Sequence, residues 1–270
     1  MRDAYKVFVA DSLHEKGLEI LREAEGIEVT NEPGLPPEKI ADRIAPYHAL
    51  IVRSGTKVTR PIIERARALR VIGRAGTGVD NVDVQAATEK GIVVMNTPLG
   101  NAVTTAEHAI ALILALARSI PQADRSLREG KWDRQRFVGQ EVADKVLGII
   151  GLGNIGSVVA DRAQALKMRV VAFDPYIPED VALRRGVRLV PFETLLAESD
   201  FITIHIPLTE ETHHLIGEES LRRVKPGVRI VNTARGGIVD EKALAAAIRE
   251  GRVAGAALDV FEEEPPKENP

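Results

Sequence analysis

Three glycines, Gly151, Gly153 and Gly156, stand as G-x-G-x-x-G in the stretch "LGIIGLGNIG" (147–156). An apolar run fit for a buried strand precedes them, and Ile155, Val158, Val159, Ala163 and Leu166 share one helical face beyond. Strand, bare turn and helix N-terminus together cradle a pyrophosphate. The first glycine permits the tight turn, the second lets the phosphates reach the backbone, and the third lets helix and strand pack closely. The helix end adds amide donors and the positive end of its dipole. A second strand-like run, "RVVAF", ends at Asp174, 18 residues after Gly156 (174 minus 156). An acid at that distance bonds the adenosine ribose hydroxyls and repels a 2′-phosphate, which predicts NAD rather than NADP.

Two further segments, "VNTARGGIVDE" (231–241) and "GAALDVFEEEPP" (255–266), each follow a strand pattern. They set Arg235, Asp259 and Glu264 near the carboxyl ends of a sheet, where open α/β folds bind ligands. Glu262 and Glu263 are read as a solvated acidic loop. His213 and His214 lack carboxylate or thiol companions at ligand spacing, so no metal site is expected.

The elements that must position these residues are short apolar runs alternating with amphipathic ones. "KVFVAD", "ALIVRS", "LRVIGRAG" and "GIVVMN" form a first series of strands. A second comprises "KVLGIIG", "MRVVAFD", "DFITIHIP", "GVRIVNTA" and "VAGAALDVF". Such alternation predicts parallel sheets with crossover helices. A helical segment from Thr104 to about Glu129 separates the two series, and Pro98 and Gly100 before it mark a hinge. The sequence thus reads as two α/β domains, 1–98 and 99–270.

With 270 residues, 44% of them hydrophobic and 28% charged, the chain can bury two cores. A net charge of −3 gives no field for capturing nucleic acid or an anionic membrane, so an anionic ligand must be held by local arginines. The absence of cysteine excludes disulfides, thiolate metal sites and a thiol nucleophile. The N-terminal apolar stretch is short and broken by Asp11, and the longest apolar run, Ala109–Ala117, falls far below the roughly 20 residues of a membrane span. A cytoplasmic location is the expectation. Trp132, the lone tryptophan, is expected at an interface.

"RAGTGVDNVD" (74–83), "VRSGTKVT" (52–59), "VMNTPLGN" (94–101), "EGKWDRQRFVGQE" (129–141) and "FDPY" (173–176) complete a set of long, gap-free motifs. Through them the chain resembles the D-isomer-specific 2-hydroxyacid dehydrogenases over essentially its whole length. The resemblance implies two doubly wound parallel-sheet domains, a flavodoxin-like substrate domain followed by a Rossmann NAD-binding domain. It implies NAD-dependent oxidation of 3-phospho-D-glycerate to 3-phosphooxypyruvate, the first step of L-serine biosynthesis. Two alternatives stay open: another D-2-hydroxy acid such as glyoxylate, hydroxypyruvate or D-lactate, or a non-catalytic NAD(H)-binding module.

By the same resemblance, Arg235 grips the substrate carboxylate and polarises its C2 oxygen, a task suited to its planar fork. Glu264 pairs with a histidine that takes the C2 hydroxyl proton. Cofactor contacts fall on Thr77, Asn154, Ile155, Asp174, His205, Ile206, Pro207, Thr233, Ala234, Arg235 and Asp259, beside the three glycines. Substrate contacts fall on Arg53, Ser54, Arg74 and Gly76, and Arg134 is lent across the interface of a homodimer or homotetramer. The arginines concentrate positive charge for a triply charged substrate. The family histidine lies one strand past Glu264, beyond "EEEPPKENP". The second domain is therefore expected to be truncated and this chain weakly active or inactive.

Overall fold

A computed structural model describes residues 4–267; residues 1–3 of the first expected domain and 268–270 of the second lie outside it. The chain forms two compact units that divide between Asn101 and Ala102, three residues beyond the expected boundary (101 minus 98).

The first unit is a five-stranded parallel sheet. Its strands are β1 (Tyr5–Val9), β2 (Ile27–Asn31), β3 (Ala49–Val52), β4 (Val71–Arg74) and β5 (Val93–Asn96), in the order β2-β1-β3-β4-β5. Strand order reverses between β1 and β3, so the chain leaving each of these strands opens on the switch-point crevice. Phe8, Leu50 and Ile72 on the sheet and Ile40, Ile44, Ile62 and Ile63 on its helices are fully buried. The sequence patterns miss β2, because "IEVTN" is largely polar, pairs only with β1 at the sheet edge and buries none of its residues fully.

The second unit holds β6 (Val146–Ile150), β7 (Arg169–Phe173), β8 (Arg188–Leu189), β9 (Phe201–Ile204), β10 (Val228–Asn232) and β11 (Val253–Leu258), ordered β11-β10-β9-β6-β7-β8. All pairings are parallel. This is the doubly wound nucleotide-binding order, with its reversal between β6 and β9. Both of those strands are apolar at nearly every position and completely buried, as strands covered on two faces must be.

The helical stretch expected as one piece from Thr104 is two helices, Ala102–Arg118 and Ile120–Arg128, bent by 61°. Pro121 in the first turn of the second helix has no N–H for the Ala117 carbonyl, and Ser119 turns left-handed at φ 51°. The freed carbonyl accepts the Gln140 amide at 2.9 Å instead. Among the described residues no single helix is long and apolar enough to cross a membrane.

Candidate functional site

The three glycines of the second unit differ sharply in what they permit. Gly151, directly after β6, has φ +92°, and a Cβ there would meet the His205 carbonyl oxygen at 2.7 Å and Ile206 Cγ2 at 2.6 Å. At Gly156 a Cβ would lie 2.0 Å from the Gly151 carbonyl oxygen, so this glycine is what lets the helix sit on the end of the strand. A Cβ on Gly153 would meet nothing within 4 Å. Gly153 also caps the helix Asn154–Ala165 with no side-chain hydrogen bond, so the first amides of that helix keep no intrahelical acceptor. The turn is thus closed where it packs and open at Gly153.

Asp174 follows β7 and locks this turn. Its Oδ2 accepts the Leu152 amide at 2.8 Å and its Oδ1 accepts the Tyr176 amide at 2.9 Å. A carboxylate has about four lone-pair sites, so two remain for a ligand hydroxyl.

Across the switch point, the His205 amide donates to the Ile150 carbonyl at 2.8 Å, tying the chain beyond β9 to the end of β6. The His205 Nε2 lies 2.9 Å from the Thr203 hydroxyl. Burial pushes its pKa down to about 4, so the ring is neutral at pH 7. His205 Nδ1 and the Thr233 hydroxyl are buried with no hydrogen-bond partner among the described residues. Two orphaned polar atoms at the carboxyl ends of β9 and β10 are what a polar ligand lying there would satisfy.

Sequence reasoning missed Asn232, whose buried amide organises this end of the sheet. Its Oδ1 accepts the Ala234 amide at 3.0 Å, its Nδ2 donates to the Arg235 carbonyl at 2.8 Å, and its own carbonyl accepts the Asp259 amide at 3.0 Å. One side chain therefore shapes the Thr233–Arg235 turn while its backbone anchors Asp259. The signal for it was a lone amide closing a strand whose last two preceding residues, Ile230 and Val231, are apolar. Arg235 folds its Nη1 onto the Ala234 carbonyl at 2.6 Å. The turn bearing Arg235 also packs backbone to backbone on the loop bearing Glu264, since a Cβ on Gly236 would lie 1.8 Å from the Phe261 carbonyl oxygen. Glu264 accepts the Phe261 amide at 3.1 Å within that loop.

In the first unit, the register pair Val52↔Arg74 sets the turns after β3 and β4 side by side. Asp11, which the sequence showed only as a break in an apolar stretch, accepts the Arg53 amide at 2.6 Å, the Thr56 amide at 3.1 Å and the Thr56 hydroxyl at 2.8 Å. Asn81 donates to the carbonyls of Arg53 and Thr56, each at 2.6 Å. The Arg53–Thr56 turn, with Ser54 exposed on it, is therefore strapped from both sides. The Arg74 guanidinium crosses the face of Gly76, where a Cβ would stand 1.5 Å from its Nη1. Thr77 is held through its carbonyl, which accepts from Asn96 at 2.6 Å, and through a hydroxyl bond to Asn101. Arg134 sits instead on the exposed stretch after the helix Ile120–Arg128, with no strand end to position it.

A doubly wound sheet with a glycine turn at its switch point, an acid on the neighbouring strand and unsatisfied polar atoms on the opposite side defines a dinucleotide-binding α/β protein. The sequence profile described as "D-isomer specific 2-hydroxyacid dehydrogenase, NAD binding domain" matches residues 110–270. The chain belongs to that family. It is 53% identical over 266 residues to a D-3-phosphoglycerate dehydrogenase of Archaeoglobus fulgidus, covering 98% of this chain and 50% of that one. Among solved structures it is similar to a glyoxylate reductase from Paecilomyes thermophila (TM-score 0.89, 33% identity, 99% of this chain and 84% of the other). A D-lactate dehydrogenase of Aquifex aeolicus, solved with NAD and lactic acid, also matches (TM-score 0.84, 30% identity, 96% and 78%). The chain spans about half the length of the curated relatives it matches.

Proposed function

We propose that this chain carries the nucleotide-binding and arginine-bearing machinery of an NAD-dependent dehydrogenase that oxidises 3-phospho-D-glycerate to 3-phosphooxypyruvate, the first step of L-serine biosynthesis. The observation that carries this reading is the 53% identity to a D-3-phosphoglycerate dehydrogenase across nearly the whole chain. NAD supplies the hydride acceptor. Asp174 bonds the ribose hydroxyls from its place against the glycine turn, and the first amides of the helix Asn154–Ala165 take the pyrophosphate. Arg235 grips the substrate carboxylate and draws electron density from the C2 oxygen. Glu264, on the loop packed against Gly236, would orient the imidazole of the family's histidine, which takes the C2 hydroxyl proton, and stabilise its protonated form. Thr233, Ala234, Ile206 and Pro207 line the cofactor, and Arg53, Ser54, Arg74 and Gly76 hold the substrate's anionic groups.

The solved relatives named for glyoxylate reduction and D-lactate favour a second reading, the same chemistry on an unphosphorylated D-2-hydroxy acid. Comparing the affinity of the NAD-loaded chain for 3-phospho-D-glycerate and D-lactate separates the two. The first reading requires 3-phospho-D-glycerate to bind at least tenfold tighter (~1.4 kcal/mol), with Arg235→Lys losing most of that binding; equal or reversed preference defeats it.

The working form is proposed to be a cytoplasmic homodimer or homotetramer to which Arg134 contributes across subunits. Large exposed apolar side chains support this: Trp132 at 76% and Val138 at 80%, with Ile120 and Leu127 on one helix before them. Light scattering that found a monomer at micromolar concentration would overturn it.

A further inference from the structure

We propose that His108 is a positioning residue: it holds the Asp259 carboxylate at the nicotinamide end of the cofactor and so sets the balance between oxidised and reduced dinucleotide. The inference rests on the nucleotide-binding reading and is independent of which hydroxy acid is used. His108 Nε2 lies 3.4 Å from Asp259 Oδ1, joining the helix Ala102–Arg118 to the residue that follows β11. The Asp259 backbone is already fixed, because its amide donates to the Asn232 carbonyl. Only the carboxylate is left to be oriented, and among the described residues His108 meets it.

In a doubly wound sheet each half takes one mononucleotide. Asp174 after β7 marks the adenosine half, so the nicotinamide half falls over β9, β10 and β11, where Asp259 stands. The oxidised ring carries a positive charge that the reduced ring lacks. A carboxylate held there favours the oxidised form, and one free to swing into solvent favours it less. The two side chains are 47% and 55% exposed, so their contact adds little to stability. Its consequence is therefore read in cofactor affinity rather than in folding.

The test is the ratio of dissociation constants for NAD⁺ and NADH, measured by calorimetry and nucleotide fluorescence on the whole chain. Asp259→Asn is expected to move the ratio toward NADH by about tenfold and His108→Leu in the same direction by about threefold. His108→Gln, which keeps a donor, should stay within about twofold of the unaltered chain. In the Asp259→Asn background His108→Leu should change nothing further, because the two act as one unit. An unmoved ratio in His108→Leu, an equal loss of both affinities, or an effect that persists without the Asp259 carboxylate overturns the proposal. Failure of the unaltered chain to bind either nucleotide would instead defeat the nucleotide reading on which it rests.

Discussion

His205 shows how burial alone assigns a role. An imidazole ordinarily titrates near 6.5, and burial lowers this one to about 4. Above pH 6.5 it is neutral whether the chain is folded or not. Between 6.5 and 4 the unfolded chain takes up a proton that the fold refuses, so stability falls as pH falls. Replacing His205 with Gln should shrink the stability lost between pH 7 and pH 4.5 by about 2–3 kcal/mol, measured by urea unfolding at the two values. Identical losses in both proteins would mean that the ring is solvated. Asp174 makes a different prediction. Asp174→Asn keeps an acceptor for the Leu152 amide but removes the charge, so the preference for NAD over NADP should shrink by about tenfold in relative affinity (~1.4 kcal/mol). Competition binding checks it, and a constant ratio takes Asp174 out of the ribose site.

The strand–turn–helix unit from β6 through Ala165 commits Gly156 to packing and leaves Gly153 open. Gly156→Ala forces a Cβ into the Gly151 carbonyl and should cost about 1–3 kcal/mol of stability. Gly153→Ala meets no atom within 4 Å, so its stability should change by less than about 0.5 kcal/mol. Its NAD affinity should still fall by about tenfold or more (~1.4 kcal/mol), because the added methyl would stand where the phosphates are proposed to approach. Paired denaturation and binding curves separate the two, and a Gly153→Ala chain with unchanged affinity would move the pyrophosphate elsewhere. These three glycines could be read directly from their spacing. The 61° break at Ser119 had a local signal in Pro121, which the helical period on either side overrode, whereas the Gln140 amide that rescues the Ala117 carbonyl left none.

Over the whole molecule, the buried cores fall into separate sets for the two units. Phe8, Leu50 and Ile72 belong to the first and Leu147, Ile149, Ile202 and Ile230 to the second. Nucleotide binds the second unit, so NADH at about 100 times its dissociation constant should stabilise that unit by about 2.7 kcal/mol. Calorimetry should resolve a transition that moves with NADH and one that does not; a single transition shifting as a whole would show the units to unfold together.

The sequence by itself determined the parallel α/β class, the glycine turn and its acid, because each is written within a short window as a period of apolar residues or a fixed spacing. The roles proposed for Arg53, Arg74, Arg235 and Glu264 rest on motifs alone, since nothing local distinguishes a strand-end arginine from a surface one. Only the tertiary structure decided that Asp11 and Asn81 strap the Arg53 turn, that Asn232 shapes the Arg235 turn, and that His108 meets Asp259. These contacts depend on which strands become neighbours. Strand order at a switch point joins Ile150 to a residue 55 positions later (205 minus 150), and a hydrogen bond across that distance leaves no mark on either local pattern.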